Sequence, residues 1–297
     1  MTVKKVLGRQ NSLGFTKEAT RGTTPGSTSF FIPWDEADIE DKVLPVLDNQ
    51  AQGVIEDSTG QSLTKKWSEI NFKAPITDKS FPLILISMLG GISTSTNADA
   101  STNVKDHTIT VSQSVQHQSL SFYVNDQSAT SDAQDYTYAL GAIKTLEINY
   151  EAQKYINYAA SFMAKLGVQA AVTASTPNEN RFLPQHVTFK LASSYSGLGA
   201  ASAISIKKMQ LKFASNLEDD QVLGDIGPGD YLNKSLSIEG TIDATFSDET
   251  TLRSLYVANT SKAMRIQITN SDVVIGTSAN PSLTIDLAKV VFTGFSR

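Results

Sequence analysis

Apolar and polar residues alternate with a period of two wherever the chain is apolar enough to judge. The alternation is clearest in five segments, at 119–124, 156–162, 186–191, 264–269 and 283–288. Because successive side chains of a β-strand point to opposite faces, this pattern predicts strands with one buried face and one wet face. Such strands are typical of antiparallel sheets, so the sequence predicts a mainly β protein.

Two short segments have the pattern of a helix instead. The first spans 79–89, with Asp78 or Ser80 as the N-cap and a glycine pair at 90–91 as the stop, and the second spans 248–259. Apolar stripes on short helices are ordinarily packing surfaces, so we expect both helices to pack rather than to bind a ligand. The residues expected to make these contacts are Phe81, Leu85, Met88, Leu252, Leu255 and Tyr256.

Polar segments of low complexity separate these elements. The segment at 173–180 is the best candidate for a linker between two domains. This interpretation divides the chain into an N-terminal arm at 1–30, a first module at 31–172 and a second module at 181–297. Each module has the size of a small β-sandwich or β-barrel with one flanking helix.

The two halves also present their elements in the same order. An acidic pair opens the run at 40–44 in the first half and the run at 219–223 in the second. Each run is followed by a polar loop, a strand, a helix preceded by Asp78 or Asp248, and two further strands. A tandem duplication predicts this order. The alternative is coincidence, because acidic pairs and Asp-capped helices are common.

Composition narrows the function classes. The chain has 63 Ser and Thr residues but only 19% charged residues, a net charge of −5 and no cysteine. The absence of a basic surplus makes a conventional DNA-binding domain unexpected. Without cysteine there is no disulfide framework, thiolate metal site or cysteine nucleophile. The most apolar stretch is too short to cross a bilayer, so we expect no membrane association.

No catalytic motif stands out. His107, His117 and His186 lack the spacing of a zinc site, and no phosphate-binding glycine loop occurs. The acidic residues at 56–57 and 218–220 lie in polar, loop-like surroundings, without the apolar neighbours that raise the pKa of a general acid. We therefore expect no enzymatic activity, no metal and no cofactor.

Four segments together resemble a known family. They are the run GFTKEATRGTTPG at 14–26, FIPW at 31–34, GVIEDS at 53–58, and GTIDATFSD at 240–248 with the helix that follows. These runs are similar to segments of the tail tube (major tail) proteins of long-tailed bacteriophages. The resemblance spans most of the chain, and its motifs are structural rather than catalytic.

The resemblance implies a virion protein made of β-sandwich-like tail-tube modules, polymerised into stacked rings around a lumen through which genomic DNA passes without specific binding. Six modules per ring is the family pattern. Because this chain is long enough for two modules, we expect rings of three chains. The resemblance also implies assembly in the bacterial host cytoplasm and contacts with the tape measure, tail terminator and baseplate proteins.

Two sets of residues are expected to have roles in the tube, one in lining its lumen and one in joining its rings. A lumen lined by carboxylates repels phosphate and lets DNA slide. The candidate lining acids are Glu40, Asp41, Asp219 and Asp220. The N-terminal arm and the loop at 49–66 are expected to join successive rings. The candidate contacts there are Lys4, Lys5, Arg9, Glu56 and Asp57.

Two other classes remain open from the sequence. A distal tail or baseplate protein, or a virion module that binds a receptor or a sugar, would have the same β-rich composition. A β-rich hydrolase would need acids clustered in a groove, which the sequence does not indicate. Formation of long tubes by the purified chain would separate the tube protein from the alternatives.

Overall fold

The computed structural model describes residues 8–26, 30–50, 53, 55–94, 99, 104–126, 134–244 and 249–296. Within them it contains fifteen β-strands and two α-helices. The strands are β1 (Asn11–Lys17), β2 (Phe30–Ile32), β3 (Glu36–Asp48), β4 (Gly60–Pro75), β5 (Gly90–Thr94), β6 (His107–Val111), β7 (Leu120–Asp126), β8 (Tyr136–Glu151), β9 (Asn157–Ala164), β10 (Val168–Gln169), β11 (Val187–Ala192), β12 (Ile206–Asp220), β13 (Asp230–Ala244), β14 (Lys262–Thr269) and β15 (Ser282–Val290). The helices are α1 (Phe81–Leu89) and α2 (Glu249–Val257). The predicted mainly β, sandwich-like fold with antiparallel sheets is confirmed.

A six-stranded antiparallel sheet is the largest unit, with the strand order β13-β12-β8-β9-β4-β3. A second sheet has the order β2-β1-β7-β8, and a third has the order β11-β14-β15. Strands β5 and β6 form a separate hairpin beside α1. The first half of β8 therefore belongs to the second sheet and its second half to the largest one.

Strand β8 changes partners at Leu140 and Gly141. Its pairing with β7 ends at Gly141, and its pairing with β12 begins at Thr145. The backbone turns here, because Leu140 has a φ of 58°, which is unusual for a residue with a branched side chain. A Cβ atom on Gly141 would lie 2.6 Å from the carbonyl oxygen of Leu120, so only glycine fits without displacing β7.

One hydrophobic core extends through both halves of the chain. Phe72 packs against Phe15, Phe122 and Phe162, with ring centroids 6.0 to 6.3 Å apart. The same core continues into the second half through Phe182, Phe189, Met209, Leu211, Phe213, Met264, Ile266 and Ile268. Packing therefore ties the two halves together.

Strand pairing follows the same order in the two halves. In the first half, β1 pairs with β7 and β7 pairs with β8. In the second half, β11 pairs with β14 and β14 pairs with β15, so in both halves the three strands are paired in their order along the chain. Each half also contains a long hairpin, β3–β4 or β12–β13, followed by a helix of nine residues. These correspondences match the element order from which the duplication is predicted.

The predicted linker is held against the start of α1. Asp78 accepts hydrogen bonds from the backbone N–H of Asn180 at 2.9 Å and from its side-chain amide at 2.7 Å. Ser80 donates to Glu179 at 2.9 Å, and Lys79 donates to the carbonyl oxygen of Asn178 at 2.7 Å. The segment at 173–180 is thus anchored along its final residues, and the module boundaries stay a prediction.

Two sequence expectations differ from the structure. The acids at 218–220 lie in strand β12, because the β12–β13 hairpin continues beyond the edge of the neighbouring strands and needs no apolar alternation there. Helix α1 begins at Phe81 rather than at residue 79, because Ser80, one of the two N-caps offered by the sequence, is its N-cap. Asp248, the second predicted N-cap, lies outside the described residues.

Candidate assembly surfaces

A buried carboxylate fixes the N-terminal segment to the second sheet. Glu18 is 3% exposed and accepts hydrogen bonds from the hydroxyls of Ser119 and Ser121, each at 2.6 Å. It also accepts hydrogen bonds from the backbone N–H groups of Gly22 and Leu140, each at 2.7 Å. Four donors thus offset the cost of burying this charge, and one of them belongs to the left-handed residue of β8.

Arg21 links this segment to the β12–β13 hairpin. Its Nε lies 2.8 Å from Oδ1 of Asp230, and its guanidinium also donates to the carbonyl oxygens of His117 and Tyr231. Gln116 donates to the other carboxylate oxygen of Asp230 at 2.6 Å. Burial alone would raise the pKa of Asp230, but the hydrogen bonds from Arg21, Tyr231 and Gln116 outweigh it and lower the pKa.

The face of the six-stranded sheet that points away from the core is polar and acidic. Register and alternation place Glu40 opposite Glu69 on this face, and Lys212 opposite both Glu147 and Glu239. Its paired carboxylates are Glu36, Asp38, Glu40, Glu69, Glu147, Glu151, Glu239 and Asp243. Its paired lysines are Lys42, Lys73, Lys208 and Lys212. We call this surface the acidic sheet face.

The four acids named from the sequence fall in different places. Glu40 lies on the acidic sheet face, where its hydrogen bond to Lys42 at 2.6 Å raises the pKa of that lysine. Asp41 points to the other side and accepts a hydrogen bond from Ser68 at 2.6 Å. Asp219 forms an ion pair with Lys65. Asp220 is exposed near the end of β12.

The acids that the sequence reasoning missed carry a signal that could have found them. Glu36, Asp38 and Glu40 alternate with Ala37 and Ile39, which is the pattern of a strand with one acidic face. Correspondence between the two halves instead points to an adjacent acidic pair in each half. Neighbouring residues of a strand point to opposite faces, so such a pair cannot lie on one surface.

The two long hairpins end at the same end of the largest sheet. The end of the β12–β13 hairpin lies against β4, where the backbone N–H of Lys66 donates to the carbonyl oxygen of Ile226 at 2.7 Å, close to the ion pair of Lys65 with Asp219. Both ends expose apolar side chains. These are Val43, Leu44, Val46, Leu47, Ile55 and Leu63 in the first hairpin, and Val222, Leu223 and Ile226 in the second.

The predicted inter-ring residues lie at two locations. Glu56 and Asp57 are exposed in the loop that joins β3 to β4. Arg9 is exposed in a short 3-10 turn just before β1. Lys4 and Lys5 lie outside the described residues.

An open groove of about 950 Å³ lies at the opposite end of the same sheet. Its apolar lining comes from Pro33, Trp34, Pro75, Tyr155, Leu183 and Pro184. The guanidinium of Arg181 lies over the ring of Tyr155, 5.3 Å from its centroid. Asn157 donates to Asp35 at 3.2 Å, and its own side-chain oxygen is buried without a hydrogen-bond partner among the described residues.

The two helices differ in how far they are buried. In α1, Phe81, Leu85 and Met88 are all buried in the core. In α2, Leu255 is buried and Leu252 is half-buried, whereas Tyr256 is 40% exposed. The described part of α2 therefore presents a much smaller apolar contact than α1.

The described residues contain no group of three or more metal-ligating side chains. His117 lies against Gly90 in the core, and His186 contacts Asp272 at 3.2 Å.

Burial raises the pKa of Tyr123 and of Tyr138 to about 12, which keeps both phenols neutral. No helix among the described residues is long and apolar enough to cross a membrane.

Comparison with known proteins identifies a family model that the chain matches. A family model described as phage tail tube protein matches residues 8–288. None of the curated proteins compared matches the chain. The matched span includes the acidic sheet face, both hairpin ends and the groove.

Proposed function

The chain belongs to the phage tail tube protein family, and from this premise we propose that its copies assemble into stacked rings that form a conduit for genomic DNA. The family match over nearly the whole chain carries this proposal. The resemblance inferred from the four sequence segments is thereby confirmed.

Family membership makes the chain a structural protein of the virion tail. It also implies association of the protein with itself and with other tail proteins. By the resemblance we propose the tape measure, tail terminator and baseplate proteins as those neighbours, and the host cytoplasm as the place of assembly. The same resemblance supports a role without enzymatic activity.

The free edges of the largest sheet support ring formation. Among the described residues, the outer edges of β3 and β13 have no strand partner. Unpaired edges of long strands are templates for pairing with another chain. We propose that β3 of one copy lies beside β13 of its neighbour, so that the acidic sheet face continues around the ring.

The repeated strand pairing supports a ring of three chains. If each half of the chain acts as one module of the family's six-module ring, three chains complete the circle. Both halves contribute a long hairpin, a helix and a three-stranded arrangement in the same order. The proposed modules keep the boundaries 31–172 and 181–297, and β1 from the preceding N-terminal arm completes the first of them by pairing with β7.

The acidic sheet face supports the proposed DNA path. Carboxylates outnumber lysines at its paired positions, so it repels the phosphate backbone and offers no strong site at which DNA is held. We propose this face, including Glu40, as the lining of the lumen. Asp41 and Asp219 form contacts elsewhere and contribute less to it.

Electron microscopy of the purified chain tests the proposal. We expect long tubes with three copies per ring and a lumen wide enough for duplex DNA. Six full-length copies per ring would contradict the trimer. A protein that remains monomeric at high concentration and binds a sugar or a receptor would instead be a distal tail or receptor-binding module.

A further inference from the structure

The β3–β4 loop and the groove lie at opposite ends of strand β4, and their side chains are complementary. Strand β4 begins at Gly60 beside the β3–β4 loop and ends at Pro75 in the groove. Its 16 residues span about 50 Å at roughly 3.3 Å per residue. The loop and the groove therefore lie too far apart to meet within one chain, but they face each other when copies stack along the strand direction.

The loop carries an exposed apolar residue beside two unpaired charges. We define the β3–β4 tip as Gly53 together with residues 55–59. Ile55 is fully exposed, and the adjacent Glu56 and Asp57 form no ion pair among the described residues. The backbone N–H of Thr59 donates to the carbonyl oxygen of Asp48 at 3.0 Å, which closes the base of the tip.

The groove offers the matching chemistry. Its proline, tryptophan and tyrosine side chains form an apolar surface open to solvent. Arg181 has no carboxylate partner among the described residues, so its charge is available to an incoming acid.

We propose that this groove receives the β3–β4 tip of a second copy of the chain, in the next ring of the tube. Ile55 packs between Trp34 and Tyr155, and the carboxylates of Glu56 and Asp57 face Arg181. This inference rests on the proposed stacking of rings and specifies the surface that stacking uses.

The other hairpin end is a poorer occupant. Leu223 is fully exposed, but the end that carries it is held against β4 of the same chain. Asp225 accepts the N–H of Gly227 at 2.9 Å, and the carbonyl oxygen of Ile226 accepts the N–H of Lys66. The acids of this end, Asp220 and Asp225, do not follow Leu223 directly as Glu56 and Asp57 follow Ile55, so no adjacent acidic pair accompanies the apolar residue to meet Arg181.

A tip-to-groove contact joins two different surfaces of the same chain. Such a heterologous contact does not close on itself when it acts along an axis, and it produces an open filament with a direction. Every ring then presents tips at one end and grooves at the other. This arrangement predicts that each end can be disabled separately.

Two variants disable the two ends. Ile55→Asp removes the apolar residue of the tip, and Arg181→Glu reverses the charge of the groove. We expect each variant to form rings but to lower the yield of tubes by about tenfold or more. Leu223→Asp is the matched control, since it changes an equally exposed side chain on the other hairpin, and it should leave tubes intact.

Mixing the two variants gives the sharpest result. A ring of Ile55→Asp still has intact grooves, and a ring of Arg181→Glu still has intact tips. We therefore expect the mixture to form pairs of stacked rings and nothing longer. Combining Arg181→Glu with Glu56→Arg and Asp57→Arg in one chain should restore long tubes.

Cross-linking identifies the contact directly, because the chain contains no cysteine. Assembled tubes that carry Ile55→Cys and Gln185→Cys should form disulfides between chains, whereas Leu223→Cys with Gln185→Cys should not. Tubes that form normally in both end variants, or that cross-link through Leu223→Cys, would overturn the groove assignment while leaving the proposed function intact. Wild-type protein that forms neither rings nor tubes would overturn both.

Discussion

At the scale of single residues, Glu18 explains why the KEATRG run matters. Its carboxylate collects four hydrogen bonds from the N-terminal segment, β7 and β8. One donor is the N–H of Leu140, whose positive φ is a strained conformation that the surroundings must hold. The charge therefore stabilises the point at which β8 changes sheets.

Glu18→Gln should destabilise the fold by about 3 kcal/mol, because a buried amide cannot accept all four hydrogen bonds and weakens those it keeps. Urea unfolding of unassembled protein measures the change. Glu56→Gln is the matched control, since that side chain is exposed in the loop, and it should stay within about 0.5 kcal/mol of wild type. Equal effects of the two variants would contradict this role for Glu18.

Asp230 gives the fold a dependence on acidity. Its folded pKa lies below its ordinary value of 3.8, so the stability it contributes is complete above that value and is lost as pH falls through the folded pKa. We expect Asp230→Asn to be less stable than wild type at about pH 6, with a difference that shrinks below the ordinary pKa. Thermal unfolding of both proteins at about pH 6 and at a pH below the ordinary pKa measures this difference in stability. A difference that stays constant would argue against the Arg21 contact.

The sequence predicts contacts at this scale poorly. In the sequence, the FTKEATRG run shows only a family resemblance, because Glu18 and Arg21 bind groups about 100 and 200 residues away along the chain, such as Ser119 and Asp230. Polar residues in a loop-like run give no sign of such distant partners. Spacing along the chain cannot reveal which buried donors a carboxylate will meet.

At the scale of elements, alternation predicts the strands because each has one face in the core. Ser119 to Val124, Ile156 to Phe162 and Leu283 to Ala288 all overlap strands of the structure. Helix α1 follows from its apolar run and its glycine stop, and its residues are buried as expected. The far part of β12 was missed, because a hairpin that leaves the core loses the alternation on which the prediction depends.

The bend in β8 depends on a single small residue. Gly141→Ala places a methyl group 2.6 Å from both the Leu120 carbonyl oxygen and the ring of Phe122, so β7 must move away. We expect a loss of about 2 kcal/mol or more in unfolding free energy. Gly199→Ala is the control, because a Cβ there meets nothing within 4 Å, and it should be nearly neutral. Similar midpoints for the two variants in urea would contradict the close approach.

At the scale of the whole molecule, the family resemblance predicts the function more specifically than the composition does. Low charge and abundant hydroxyls indicate β-structure without basic surfaces, but they do not indicate which face is acidic. That face becomes visible only once β3, β4, β8 and β13 belong to one sheet, since its carboxylates come from these four strands. The candidate lining could therefore be predicted only in part, through Glu40.

Reversing charges on the acidic sheet face should slow DNA passage. Glu40→Lys, Glu239→Lys and Asp243→Lys combined change exposed side chains that stand on the sheet face, away from the backbone groups with which β3 and β13 are proposed to pair, so we expect intact tubes. Added lysines attract phosphate and make the interaction salt-dependent. Phage that carry the triple variant should eject DNA more slowly at low salt than at high salt, and ejection at the wild-type rate under both conditions would contradict the assignment of this face to the lumen.

The continuous core has a mechanical consequence. Because β8 is shared by two sheets and the hydrophobic core extends across both halves, a bending force cannot separate the halves without opening packed side chains. Each chain behaves as one stiff body, and compliance is left to the contacts between chains. In a tube built as proposed, the whole filament bends by small tilts of ring against ring, and its persistence length is set by the tip and the groove.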